Sequence, residues 1–373
     1  MKATVLVRTL LVVLVLSVSA FAQDKRAQNV VLFLADAGGI PTLHAASIHA
    51  HKAPQQLYLN TLPYIALAET SSSSQWVTDS AAGMTAIVTG NKTHNGVIAQ
   101  SDAAQRGTID GDPLKTILEH AEERGLSTGV ITNSSVLSAT PAATYAHVND
   151  RANEVEIFRQ LLKPRFGDGV DVVFGAGRAG VIEAAMAAGV NARTAIEAAG
   201  LGLYDSIDAI PDTARRAVVL FDSDFDLEAA TDRAIRILSR NPNGFFLMVE
   251  SDAHTEKLVQ GLDRVIQIDR AIRRAAQRAE ETLILFTADH SYDFRVNGGR
   301  RDQPLIPASV AYDFGDDQDS LKLDNVRRED DHTGEEVLVA AQGPGAERVR
   351  GFLANTDLFR IMMQAYGWDS AGR

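Results

Sequence analysis

A succession of short, continuous apolar runs with helix-like segments between them constrains this chain more than any other feature. The runs are Val30–Leu34, Tyr64–Ala68, Thr128–Thr132, Asp171–Phe174, Ala217–Leu220, Phe245–Val249, Leu283–Thr287 and Val337–Ala341. Most lack polar alternation, as expected of strands covered on both faces. Among the intervening segments, Pro113–Arg124 opens on proline and stops before Gly125, the usual asymmetry of helix ends. Asn153–Leu162 and Asp226–Leu238 are two further predicted helices. Leu262–Glu280 sets Val265, Ile268, Ile272 and Ala276 at helical spacing, and its arginines read as a solvated face. Strand and helix in alternation predict an α/β fold: a doubly wound, mainly parallel central sheet with helices on both faces. The polar stretch 291–332 predicts a small cap insertion over the site.

Open sheets of this kind bind ligands beyond the carboxyl ends of their strands. Asp36 follows the first run, and Thr140 follows the third after a short loop. Glu250, Asp252 and His254 follow Phe245–Val249, at alternate positions that share a side if extended. Asp289-His290 follows Leu283–Thr287, and His332 precedes the last run. Singly, each is an ordinary turn, cap or surface residue; gathered at one edge with histidine, they suggest metal ligation. The chain has no cysteine, so any metal must sit on His, Asp and Glu, which suits zinc or a harder cation.

Val77–Ala86 reads VTDSAAGMTA. A serine opening a helix lies among unpaired N–H groups at the positive end of the dipole, where a phosphate can be held; it is equally an ordinary N-cap. Arg151 could fork onto two phosphate oxygens or simply face solvent. With a formal charge of −12, nothing in the sequence suggests nucleic-acid binding, which needs a basic face. The same charge means that phosphate must be met by local positive charge from metals or arginine. Residues 1–22 combine Lys2 and Arg8, an apolar stretch Leu10–Val18, and Ala20-Phe21-Ala22, the pattern of a secretory signal peptide; the alternative is a membrane anchor, for which the apolar run is short. The expectation is an exported chain, periplasmic or secreted, with 23–373 as one catalytic domain and no membrane segment after signal removal.

The chain resembles alkaline phosphatases in Val77–Gly90 with Asn91–Gly96, Ala139–His147, Val172–Arg178, Phe246–Glu250, Thr287–His290, His332–Gly334 with Gly343-Pro344, and Thr356–Phe359, all in the family's order. The resemblance implies a phosphatase of small phosphate monoesters working through a phosphoserine on Ser80. Asp79 would hold Arg151, which clamps the nonbridging oxygens. One zinc would use Asp36, Asp289 and His290 beside Ser80; a second would use His332 with Asp252 and His254. A magnesium would sit on Asp36, Thr140 and Glu250. Two departures stand out. The spacing Glu250, Asp252, His254 is shorter than in many relatives, with Glu256 and Asp263 as substitute ligands. Ser138 stands where many relatives place Asp or His, two residues before the threonine. The short cap weakens the case for a homodimer. The alternatives are a phosphodiesterase or nucleotide pyrophosphatase of the same superfamily, and an exported phosphate- or metal-binding protein without turnover.

Overall fold

The computed structural model describes residues 26–278, 281–307 and 323–368. Residues 1–22, expected to be a signal peptide, and residues 308–322, within the expected cap insertion, lie outside the described residues. The strands are β1 (Asn29–Asp36), β2 (Tyr64–Ala68), β3 (Ser127–Ser135), β4 (Val172–Ala176), β5 (Gly202–Tyr204), β6 (Ala217–Leu220), β7 (Phe245–Asp252), β8 (Thr282–Thr287), β9 (Ser291–Val296), β10 (Val326–Thr333), β11 (Val337–Gln342) and β12 (Gly351–Leu353). The helices are α1 (Ile40–His51), α2 (Ser80–Thr89), α3 (Ile117–Glu122), α4 (Ala139–Ala142), α5 (Glu154–Leu162), α6 (Arg178–Ala187), α7 (Ala192–Ala198), α8 (Leu227–Leu238), α9 (Leu258–Ala276) and α10 (Asp357–Ala365).

Ten strands form one sheet in the order β12-β2-β11-β8-β1-β7-β3-β4-β6-β5. Only β11 runs antiparallel to its neighbours, β8 and β2. The predicted doubly wound, mainly parallel sheet is therefore the observed one. Its strands read as unbroken apolar runs because both faces are covered. Along β1, Val30, Leu32 and Leu34 enter one core while Val31, Phe33 and Ala35 enter the other, as the two-residue strand period requires. The first core is closed by α2, α3, α5 and α10 through residues such as Met84, Leu118, Phe158 and Met362; the second by α1, α8 and α9 through Leu43, Leu238 and Val265. β1 lies between β8 and β7, with Leu34 level with Thr287 and Glu250, and Asp36 level with Asp252. This register aligns the carboxyl ends that carry the chemistry.

Some boundaries differ from the sequence reading. The helix expected over Pro113–Arg124 starts at Ile117. There Thr116 and Glu119 form a reciprocal capping box, a stronger start signal than the upstream proline. The helix expected over Leu262–Glu280 spans Leu258–Ala276. Its arginines are not all solvated: the Arg264 side chain is 15% exposed and paired. The polar excursion after β8 contributes an antiparallel β9–β10 ribbon. Among the described residues, no helix is long and apolar enough to cross a membrane.

Candidate active site

Ser80 is the first residue of α2, but the N-cap is Asp79. One Asp79 oxygen accepts from Ala82 N (3.1 Å), which satisfies an orphan N–H of the helix start. The other accepts from Gly96 N (2.9 Å) and from Arg151 Nη1 (3.1 Å). Asp79 therefore ties the helix start to the guanidinium, and the Ser80 hydroxyl is left free of capping. Ser80 is buried, with Oγ 3.4 Å from His290 Nε2. Ser80 and Arg151 line the same cleft of about 650 Å³.

The strand ends surround that hydroxyl. Asp36 closes β1, and the next residue, Ala37, takes a left-handed conformation (φ 60°), a strain that persists only where the surroundings enforce it. Ala37 N donates to Asp289 Oδ1 (3.3 Å). Thr140 Oγ1 donates to Asp36 Oδ2 (3.1 Å). Glu250, Asp289 and His290 are almost wholly buried. Two groups of ligand atoms converge: Asp36, Asp289 and His290, and His254, His290 and His332.

The imidazoles are all oriented the same way. Nδ1 of His290 faces Ser291 O (3.1 Å), Nδ1 of His332 faces Thr78 O (3.3 Å), and Nδ1 of His254 faces Asp252 Oδ1 (2.8 Å). Each Nδ1 faces an acceptor, which favours an N–H at that position, and each Nε2 is directed to the centre. His254 Nε2 and His332 Nε2 are 3.5 Å apart, and His290 Nε2 is 3.4 Å from Asp36 Oδ1 and 3.6 Å from Asp289 Oδ2. Three buried carboxylate oxygens, Asp36 Oδ1, Asp289 Oδ2 and Glu250 Oε2, have no hydrogen-bond donor. Burial and the facing charge of Asp36 push Asp289 up to about 8 and Glu250 well above its ordinary range. Burial holds His290 and His332 below theirs. Burial opposes charge on His254 as well, but Asp36 and Asp252 outweigh it and push its pKa up to about 10. Orphaned oxygens and converging imidazole Nε2 atoms at such distances fit cations: an N/O set suited to zinc, and an all-oxygen set of Asp36, Thr140 and Glu250 suited to a harder ion.

All the expected site residues gather here. Of the substitutes, Glu256 lines the cleft and accepts from Tyr292 Oη (3.0 Å), whereas Asp263 faces His49 (3.5 Å). Ser138 lies beside Ser134, hydroxyl to hydroxyl at 3.2 Å, and both line the cleft. Sequence reasoning missed Arg264 and Asn133, whose side chains hold the Asp252 region, and Gly261. A Cβ on Gly261 would stand 2.3 Å from the His254 carbonyl oxygen, so only glycine lets α9 cross the His254 loop this closely. The i+7 spacing of Gly261 from His254 carries no local signal of that contact.

A parallel sheet that gathers imidazoles, buried carboxylates, a helix-start hydroxyl and a guanidinium round one cleft defines the class of α/β phosphoryl-transfer hydrolases. The alkaline phosphatase family model matches residues 27–207 and 200–313. Alkaline phosphatase of Gadus morhua is 30% identical, covering 73% of this chain and 71% of its own; that of Escherichia fergusonii is 28% identical, covering 93% and 88%. The solved alkaline phosphatase of the Antarctic bacterium TAB5 superposes with a TM-score of 0.75 over 93% of this chain and 100% of its own, at 24% identity. A variant of the TAB5 enzyme has been solved with magnesium bound. The chain belongs to the alkaline phosphatase family, and it is a phosphatase.

Proposed function

We propose that this protein hydrolyses phosphate monoesters through a phosphoserine on Ser80, with two zinc ions and one magnesium at the sites described. The observation that carries the reading is the set of three histidines whose Nδ1 atoms are tied to oxygens while their Nε2 atoms converge beside Ser80. Asp36, Asp289 and His290 would hold one zinc, His254 and His332 the other, and Asp36, Thr140 and Glu250 the magnesium. Zinc, when bound, lowers the pKa of a coordinated hydroxyl and offsets charge on the reacting oxygens.

The chain's own groups supply the rest. The α2 N-terminus places Ser80 Oγ where its N–H groups and dipole favour an anion. Arg151, fixed by Asp79, neutralises nonbridging oxygens as charge builds on them. Ser80 Oγ forms a bond to phosphorus as the bond to the alcohol breaks; water then displaces Ser80 and releases phosphate. The reading extends to export: residues 1–22 carry the features of a signal peptide, so the working protein would be periplasmic or secreted.

The test is hydrolysis of an aryl phosphate monoester beside the matching diester. Activity on the monoester that is lost on chelation and restored by zinc supports the proposal. Turnover confined to the diester, or unaffected by chelation, would sink it.

A further inference from the structure

Arg264 lies on α9, outside the expected site, yet its guanidinium reaches two acids at once. Nη1 donates to Asp252 Oδ2 (3.0 Å) and to Asp252 O (3.2 Å). On its other edge Nη2 donates to Asp224 Oδ1 (2.8 Å) and Nε to Asp224 Oδ2 (3.3 Å). The remaining Asp252 oxygen, Oδ1, accepts from His254 Nδ1 (2.8 Å) and from His254 N (3.3 Å). The Asp252 carboxylate is thus shared out between protein donors on both sides.

We propose that Arg264 is a positioning residue of the metal centre, holding Asp252 against His254 Nδ1 so that His254 Nε2 stays fixed toward His332. This rests on the two-zinc reading above. It gives Asp252 a different role from the direct ligand that family resemblance implies. In this chain a single residue separates Asp252 from His254. That spacer sets the carboxylate on the imidazole's far nitrogen, while Nε2 faces the second histidine at 3.5 Å. A carboxylate at Nδ1 locks the tautomer and raises the basicity of Nε2, and losing such a partner lowers metal affinity by about 10–100-fold.

The surroundings keep the relay stiff. Asn133 Oδ1 accepts from Asp252 N (2.8 Å), and Ser251 Oγ donates to the Arg264 carbonyl (2.9 Å). The planar fork of arginine suits two carboxylates on opposite edges, which the point charge of lysine cannot match. Arg264 also offsets one of four acids crowded at the strand ends, Asp36, Glu250, Asp252 and Asp289.

The test is zinc affinity of the full chain, stripped of metal and titrated against a competing chromogenic chelator. Wild type should bind two zinc ions. R264A and R264Q should each weaken one of them by about 10–100-fold and leave the other unmoved; R264Q keeps the packing of the side-chain stem. R264A combined with D252A should bind no more weakly than D252A alone, because both act through one path. In the zinc-loaded protein, ¹⁵N spectra should show the His254 proton on Nδ1. If Asp252 were instead a direct ligand, removing Arg264 would release an oxygen, and R264A would bind both ions as tightly as wild type or tighter. That result overturns the relay alone. Wild-type protein binding fewer than two zinc ions would overturn the two-zinc reading and the relay with it.

Discussion

Replacing Asp289 by asparagine in metal-free protein isolates one strong electrostatic strain in the site. Asp289 is wholly buried, and burial with the facing Asp36 carboxylate raises its pKa from 3.8 to about 8. In the unfolded chain it titrates normally. Between those values the folded protein therefore holds a proton that the unfolded chain has lost. The resulting stability is fully present below about pH 4 and is lost as pH rises through 8. Each step of one pH across that window costs up to about 1.4 kcal/mol, so metal-free wild type should lose on the order of 5 kcal/mol from this residue. Asp289→Asn carries no such proton. Its metal-free stability should fall far less with pH, overtaking wild type at neutral and higher pH. Zinc should reverse the order, since wild type gains a charged ligand and the variant does not. Urea unfolding from pH 4 to 9, with chelator and then with zinc, measures all three. Equal slopes for the two metal-free proteins, or a wild-type stability that rises with pH, would refute the reasoning.

Arg151→Ala should weaken inhibition by inorganic phosphate by roughly 10–100-fold, the worth of a charge-assisted hydrogen bond or two, and should shift preference from monoesters toward diesters; an unmoved inhibition constant argues against the clamp. Asp79→Ala should repeat that loss and also cost about 1 kcal/mol of stability through the missing N-cap, read by chemical denaturation. Glu122, away from the cleft, is pushed up to about 8 by burial despite hydrogen bonds from Gly169 and Thr128. Glu122→Gln should therefore match wild type below about pH 4.5 and exceed it by a few kcal/mol above pH 8, in metal-free and metal-loaded protein alike. Gly261→Ala must move either α9 or the His254 loop, at a cost of about 1–3 kcal/mol, and metal analysis should show one zinc ion lost.

The sheet was legible because its strands are buried on both faces and leave an unbroken apolar signature, as in Val30–Leu34 and Phe245–Val249. The edge strands Gly202–Tyr204 and Gly351–Leu353 were not, being three residues long and partly exposed. Strand-end Asp36, Glu250, Asp289 and His290 could be picked out because the fold class says which ends matter. Which nitrogen of each histidine faces the centre depends on Ser291 O, Thr78 O and Asp252 Oδ1, two of them backbone atoms that no residue pattern encodes. Arg264 was misread because a helical arginine among many carries no sign of direction; only the crossing of α9 at Gly261 turns it toward Asp252.

The central claim is that Ser80 carries the phosphoryl group between the two displacements. Rapid acid quenching of the zinc-loaded protein during turnover of a labelled monoester, followed by peptide mapping, tests it directly. The account predicts label on Ser80 alone, and none in Ser80→Ala together with loss of turnover. Label on another residue, or full turnover in Ser80→Ala, would contradict it.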